Sequence, residues 1–381
     1  MFPEAHRNRL LPAILLSAGV LVLPSRSAAQ GPEESDWGPA FGSRSLYVLH
    51  LPVFDFCPAQ TRALLPGESE WTLESGYANT FSHSWHPILY HDALGPPGTP
   101  FRADEAARIH KDFPEETVWF VDGEVLRSAF SGRVGLASSL FLSVEVPWVS
   151  HHAFTADGPI AAFHRAFDLG QAGRTDFPRG RFVVMLQASN GALSFDDRMP
   201  ESGIGDVSAS LSWRPEPMSG GRTFGVDVAV KAPTGSAADY NGSGSWDGGV
   251  LAFLARTGRL WRFDAQAGIV IPGRWRGTLP LSVAPFGRVF LSAARRLGPH
   301  THIGVSVTYE QSPFRRAALG PVSEGGMEVA LGLETDLARD TAVRLTVTEH
   351  LSALGDRADV GAALGMRLRF RVLEARGAPS R

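Results

Sequence analysis

The chain has 381 residues, 44% of them hydrophobic, a formal charge of −3 and one cysteine, Cys57. A near-neutral balance excludes the basic excess of a nucleic-acid binder, and a lone cysteine excludes an internal disulfide or a cysteine-based metal cluster. Length permits either several soluble domains or one large closed sheet, so the pattern along the chain has to decide.

The first residues read as a secretory signal peptide, 1–29. Arg7 and Arg9 precede an apolar run over 10–23, and Ser27, Ala28 and Ala29 form a small-residue cleavage site, with cleavage expected after Ala29. The apolar run is too short, and too interrupted by Pro12, for a membrane helix, and no later stretch approaches 18 consecutive apolar residues. Residues 30–68 form a leader. Its first part is polar and rich in Gly and Pro, but LYVLHLPVFDFC over 46–57 is too apolar for a free tail. It is expected to pack under a barrel mouth or inside the barrel, the alternative being a first, irregular strand.

From residue 69 the chain alternates. In GDVSASLSWRPEPMSGGRTFGVDVAVKAPT, residues 205–234, Val207, Ala209, Leu211 and Trp213 alternate with polar or small residues, as do Phe224, Val226, Val228 and Val230. Successive strand side chains point to opposite faces, so each arm has one apolar face and one polar or small face. The same sense recurs in twelve predicted strands over 69–81, 117–134, 140–148, 205–214, 223–233, 246–256, 260–271, 282–296, 301–312, 325–337, 341–351 and 359–373. Most of these arms have the length that a tilted membrane strand needs, about 9 to 11 residues. Short turns alternate with longer loops, as in an antiparallel up-and-down transmembrane β-barrel with short periplasmic turns and long outer loops. The parity requires that 181–197, which carries Asn190-Gly191 between two alternating arms, be a hairpin excursion within the third long loop. That loop also predicts a short helix over 160–169, with Asp157 as N-cap and Ile160, Phe163 and Phe167 on one face, packed on the hairpin or serving as a lid. Trp71, Trp213 and Trp261 fall at periplasmic strand ends and Trp119, Trp148 and Trp246 at outer ends, the two girdles of a membrane barrel. The barrel is expected over 69–373, followed by a tail over 374–381.

Charged residues of both signs sort to the inward face. The lumen candidates are Arg127, Arg133, Arg344, Arg367, Arg369, Arg371, Glu70 and Glu74. Guanidinium forks in such a row suit a carboxylate or phosphate solute. The simpler account is a cross-strand ion-pair network, with Arg367 and Arg371 near Glu74 and Glu70, joined by Arg344, Glu334 and Asp336. The outer-loop histidines, His83, His86, His91, His110, His151, His152 and His164, have no diagnostic metal spacing. No G-x-S-x-G elbow and no H-E-x-x-H occurs, and the glycine strings do not sit at strand-to-helix junctions, so no catalytic residue, metal site or cofactor is expected.

The chain resembles a family of uncharacterised bacterial outer-membrane proteins, a domain of unknown function. The likeness rests on LYVLHLP at 46–52, FHRAFDL at 163–169, GR-x-x-FPR at 173–179, SGIGD at 202–206, KAPTG at 231–235 and GSGSWD at 242–247. The last three are also similar to motifs of the barrel proteins encoded with aromatic-degradation pathways. The resemblance implies an outer-membrane barrel and supplies no active-site residues. One departure is the ending, where Phe370 is followed by RVLEARGAPSR rather than closing the chain on an aromatic. Together these readings predict a passive channel or transporter for small solutes, hydrophobic ones among them, with a narrow or gated lumen, partnered by outer-membrane lipid and not by nucleic acid. The alternatives are a lipid-modifying enzyme and a structural or adhesive barrel.

Overall fold

The computed structural model describes residues 40–370 apart from 43, 88–89, 91–97, 154–156, 167–172, 190, 197–198, 216–217, 219, 278–281, 318 and 352–359. The expected signal peptide, Arg371, His91, Asn190, the end of the loop helix with Phe167, and the tail lie outside the described residues.

Strand β1 (Ser69–His83) pairs antiparallel with β2 (Val118–Ala137) on one side and with the last strand, β15 (Val360–Phe370), on the other. Its register runs from Ser69↔Phe370 to Asn79↔Val360. Pairing then continues through β3 (Leu140–His152), β7 (Ser208–Trp213), β8 (Arg222–Lys231), β9 (Asp247–Thr257), β10 (Trp261–Ile271), β11 (Phe286–Arg296), β12 (Thr301–Glu310), β13 (Gly326–Ala338) and β14 (Thr341–His350) to β15. Twelve wall strands close on themselves, and closure leaves no edge to present unpaired N–H groups.

Period-two alternation decides which side meets what. Along β9 and β10 Val250, Leu254, Phe263 and Ile269 are exposed while Leu251, Phe253, Asp264 and Gln266 are buried. The belt of exposed Val, Leu, Ile and Phe continues around the wall, through Leu142 and Val144 on β3, Val305 on β12, Leu345 and Val347 on β14 and Leu364 on β15. An apolar surface that encircles a molecule is far beyond what a protein in water exposes, and the described wall strands behind it pair with their neighbours on both sides. The fold is a transmembrane antiparallel β-barrel.

Trp71, Trp213, Trp261, Trp148 and Trp246 are all exposed at strand ends, at the two levels where rings meet headgroups. Trp119 corrects the expected outer girdle: it is 2% exposed. Its odd parity on β2 points it inward, and it is covered by a hairpin of β4 (Val183–Ala188) and β5 (Gly191–Phe195). That hairpin pairs on the outer extension of β2, Trp119 lying opposite Leu186. The excursion expected at 181–197 is therefore hydrogen-bonded to the wall above the membrane. A two-residue strand, β6 (Gly203–Ile204), pairs with β3 before β7 begins.

Helices in the outer loops add to the wall. Helix α1 (Ala103–Asp112) falls in a stretch expected to be loop. The Glu105 carboxylate accepts from the Arg102 N–H at 2.9 Å, acidic residues occupy the first turn and His110 and Lys111 the last, and Ala106 and Ile109 face the apolar cluster of Phe81, Phe101, Phe120 and Phe177. Helix α2 (Asp157–Ala166) starts at Asp157, three residues earlier than expected, and buries Ile160.

Candidate functional site: a lumen occupied by the N-terminal segment

Residues 40–68 run within the barrel, and their path follows from the wall residues they touch. The carbonyl of Ala40 accepts a hydrogen bond from Arg344 at 3.0 Å, low on β14, and the same guanidinium lies 5.0 Å from the Phe41 ring. Phe41 fits there because β12 and β13 each present an inward glycine: a Cβ on Gly304 or Gly332 would come within 2.2 or 2.0 Å of its ring. The segment then rises. Arg44 meets Glu145 of β3 at 2.9 Å, and Leu46 packs where a Cβ on Gly76 would stand 2.8 Å away.

The segment reverses through a 3-10 turn, Val48–His50, level with the outer ends of the strands. There the His50 Nδ1 lies 3.5 Å from Glu310, at the end of β12. On the way down Asp55 pairs with Arg288 of β11, and Phe56 occupies a niche where a Cβ on Gly249 would be 2.7 Å from its ring. Lower still, the Ala59 N–H donates to Gln266 at 2.9 Å and Arg214 donates to the Gln60 carbonyl at 2.9 Å. The chain leaves the lumen past Gly135, at the short-turn rim, to enter β1. Cys57 sits in mid-lumen near Glu145 and Arg44.

Three of the sequence motifs converge on the reversal. Lys231, the first residue of KAPTG, lies 2.5 Å from Asp206, the last of SGIGD, and 2.9 Å from Asp247, the last of GSGSWD. Its Nζ also donates to the Ser243 hydroxyl at 2.6 Å and to the Pro52 carbonyl of the inner segment at 2.9 Å. Asp206 accepts from the N–H groups of Gly235 and Ser243, and Asp247 from those of Gly273 and Phe54. Gly242 is required because a Cβ there would stand 2.3 Å from Asp206 Oδ1. A fully buried ammonium is tolerable only with such paired carboxylates and filled hydrogen-bond positions. Beside this knot Tyr240 adopts a positive φ of 62°, rare for a bulky side chain. Its hydroxyl, whose pKa burial raises, donates to the Leu49 carbonyl at 3.4 Å. Its ring is 5.6 Å from Trp275.

The lumen candidates near the short-turn rim join one ion-pair network. Glu70 lies 2.7 Å from Arg133, 3.2 Å from Arg369 and 3.6 Å from Arg367, while Glu334 meets Arg344 at 2.6 Å and Arg367 at 3.0 Å. Arg127 pairs instead with Glu145 at 2.5 Å, in mid-lumen. The expected pairing of Arg367 with Glu74 is corrected by register: Glu74 stands opposite Gly365, and Arg367 opposite Thr72, so Arg367 bridges Glu70 and Glu334. Glu74 faces a cavity of about 70 Å³ between segment and wall, lined also by Cys57, Gln60, Thr72, Arg344 and Arg367. Among the described residues no three His, Cys, Asp or Glu side chains converge as a metal site; His151 is buried against Phe182, and His83 stacks on Phe120.

The sequence marks the inward charges but not their partners in 40–68. The available signal is the glycines at inward positions of otherwise regular strands, Gly76, Gly249, Gly304 and Gly332, because a glycine inside a strand marks a close approach.

A family model described as "Protein of unknown function (DUF3187)" matches residues 103–370. No curated protein matches the chain significantly. Among solved structures it is similar to the Pseudomonas putida toluene transporter TodX, at 12% identity over 80% of this chain and 91% of that one, with a TM-score of 0.38. It is also similar to the NanC porin, at 7% identity over 78% and 98% with a TM-score of 0.40. A Pseudomonas aeruginosa FadL homologue matches at 10% identity over 88% and 99%, with a TM-score of 0.36. Likeness at this level carries no inference about what passes through this barrel.

Proposed function

The chain belongs to the DUF3187 family, which has no assigned activity, and we propose from its own geometry that it is a gated outer-membrane channel for small solutes. The observation that carries this reading is that the obstruction in the lumen is a separate segment, 40–68, rather than the wall. Inward wall positions with little or no side chain, Gly76, Gly249, Gly304 and Gly332 among them, leave the niches that the segment's Phe41, Leu46 and Phe56 occupy. The segment is tied covalently to the wall only at β1; Leu46, Tyr47, Val48, Leu49, Phe54 and Phe56 pack it into the apolar core of the barrel, and polar ties from Arg344 to Ala40, Arg44 to Glu145, Asp55 to Arg288 and the Lys231 knot fix its position. Charged contacts across a buried boundary fix a position while contributing little net stability, so they set where the segment sits and the apolar packing sets how firmly it is held. The export signal expected in residues 1–29 supports delivery to the outer membrane, with cleavage after Ala29. The channel acts by passage rather than chemistry.

Swelling of proteoliposomes in small uncharged and anionic solutes tests the reading. The wild-type barrel is expected to admit solutes slowly, and Lys231→Met, which removes the donor to Pro52, to admit them faster. A Lys231→Met barrel that folds, by its heat-dependent gel mobility, yet stays as tight as wild type contradicts the proposal.

A further inference from the structure

The outward face of the wall carries very few charges, and its cations are confined to one place. Among the described wall strands nine arginines and lysines point into the lumen and three point out: Arg222 on β8, Arg256 on β9 and Arg295 on β11. All three are exposed, and all three sit at the short-turn ends of neighbouring strands. Arg222 stands directly opposite Arg256 across the β8–β9 ladder. Like charges in that relation repel, and no acidic residue occupies an outward position of β8, β9, β10 or β11 to offset them. Aromatic rings fill the interval between Arg256 and Arg295. Phe263 is opposite Arg256, Trp261 is opposite Arg295, and the Arg295 guanidinium lies 5.6 Å from the Trp261 ring. A charge on the lipid face costs least at the headgroup level, where Trp261 also places this rim.

We propose that the short-turn rim of β8–β11 is a binding site for the phosphate of an anionic phospholipid in the adjoining leaflet. The phosphate receives the forks of Arg222 and Arg256, relieving their repulsion, and the acyl chains lie on the apolar belt above. Arginine suits this role because its planar fork meets phosphate with two parallel hydrogen bonds. Zwitterionic lipid carries its own ammonium beside the phosphate and leaves the excess positive charge unbalanced. The site goes beyond the channel reading and needs only that the barrel sits in a bilayer.

The test is native mass spectrometry of the whole protein in detergent, with diphosphatidylglycerol or phosphatidylcholine added at equal phosphate concentration and inorganic phosphate as a third arm. About tenfold preferential retention of diphosphatidylglycerol is expected, the fold-change of one net charge-assisted contact. The preference should fall to near unity in Arg222→Gln/Arg256→Gln, which leaves lumen and segment untouched. Equal retention of the two lipids, an unchanged preference in the double variant, or displacement of the lipid by inorganic phosphate at matched concentration overturns the proposal. Conductance plays no part in the readout, so its outcome is independent of the channel reading.

Discussion

Glycine at an inward wall position is where single residues matter most in this barrel. Gly332 lies in β13, where β-branched residues are otherwise favoured, and its absent side chain is the space that Phe41 occupies. Gly332→Val is therefore compatible with the strand and incompatible with the seated segment. Overpacking costs about 1 to 3 kcal/mol, so local release of the segment rises by about 5- to 150-fold. The lone cysteine reports it. In the closed barrel the Cys57 thiol reacts slowly with maleimide because it is half-buried in mid-lumen beside Glu145. In Gly332→Val the modification rate should rise by the same factor while heat-dependent mobility persists; an unchanged rate means that Phe41 is not held at Gly332. Glu70 is the complementary case. It pairs with Arg133, Arg367 and Arg369 at the seam that closes the cylinder, so Glu70→Gln removes a charge that all three share, Arg367 keeping Glu334. Removing one partner of a buried network costs on the order of 3 to 5 kcal/mol, and the urea midpoint for loss of the folded gel band should fall accordingly. A midpoint equal to wild type shows that the network contributes nothing to closure.

At the scale of elements, SGIGD, KAPTG and GSGSWD act as one unit although they lie on three different strand ends. Asp206, Lys231 and Asp247 form a latch whose free valences are satisfied by Pro52 and Phe54 of the inner segment. Asp247→Asn keeps the shape but weakens the hold on Lys231 and on the Phe54 N–H. It should raise Cys57 modification without altering wall pairing, as read by amide exchange of β8 and β9; faster exchange throughout those strands assigns Asp247 to the wall instead. These elements differ in how far they were legible beforehand. The twelve wall strands, their facing and the excursion at 181–197 follow from period-two alternation and turn parity, which are local signals. Helix α1 lay hidden in a loop because Arg102 is no N-cap residue, although the charge gradient from Asp104 and Glu105 to His110 and Lys111 marks it. Trp119 was misassigned because belt membership depends on facing as well as position along the strand, and its parity turns it under β4 and β5. The ion pairs of Glu70 were readable in kind but not in register. A two-residue offset between β1 and β15 exchanges partners, and only the closed sheet fixes that offset.

For the whole molecule, the segment 40–68 turns a membrane cylinder lined by charged residues and glycine niches into an occupied one. It enters at the level of Arg344, reverses beside Lys231 and Tyr240, and leaves past Gly135 into β1. Its contacts lie hundreds of residues away along the chain, as with Arg288 and Asp55, and such pairings leave no local trace in sequence beyond the inward glycines and charges that receive them. The outer loops add a second cover in α1 and the β4–β5 hairpin, so the barrel is closed from within and capped from above. The central claim is that the inner segment is the gate. Single-channel conductance in planar bilayers, comparing the full chain with one lacking residues 40–66, tests it most directly. The account predicts small, infrequent openings for the full chain and a large, steady conductance for the deletion. A deletion that retains the heat-modifiable barrel and conducts no more than the full chain would contradict it.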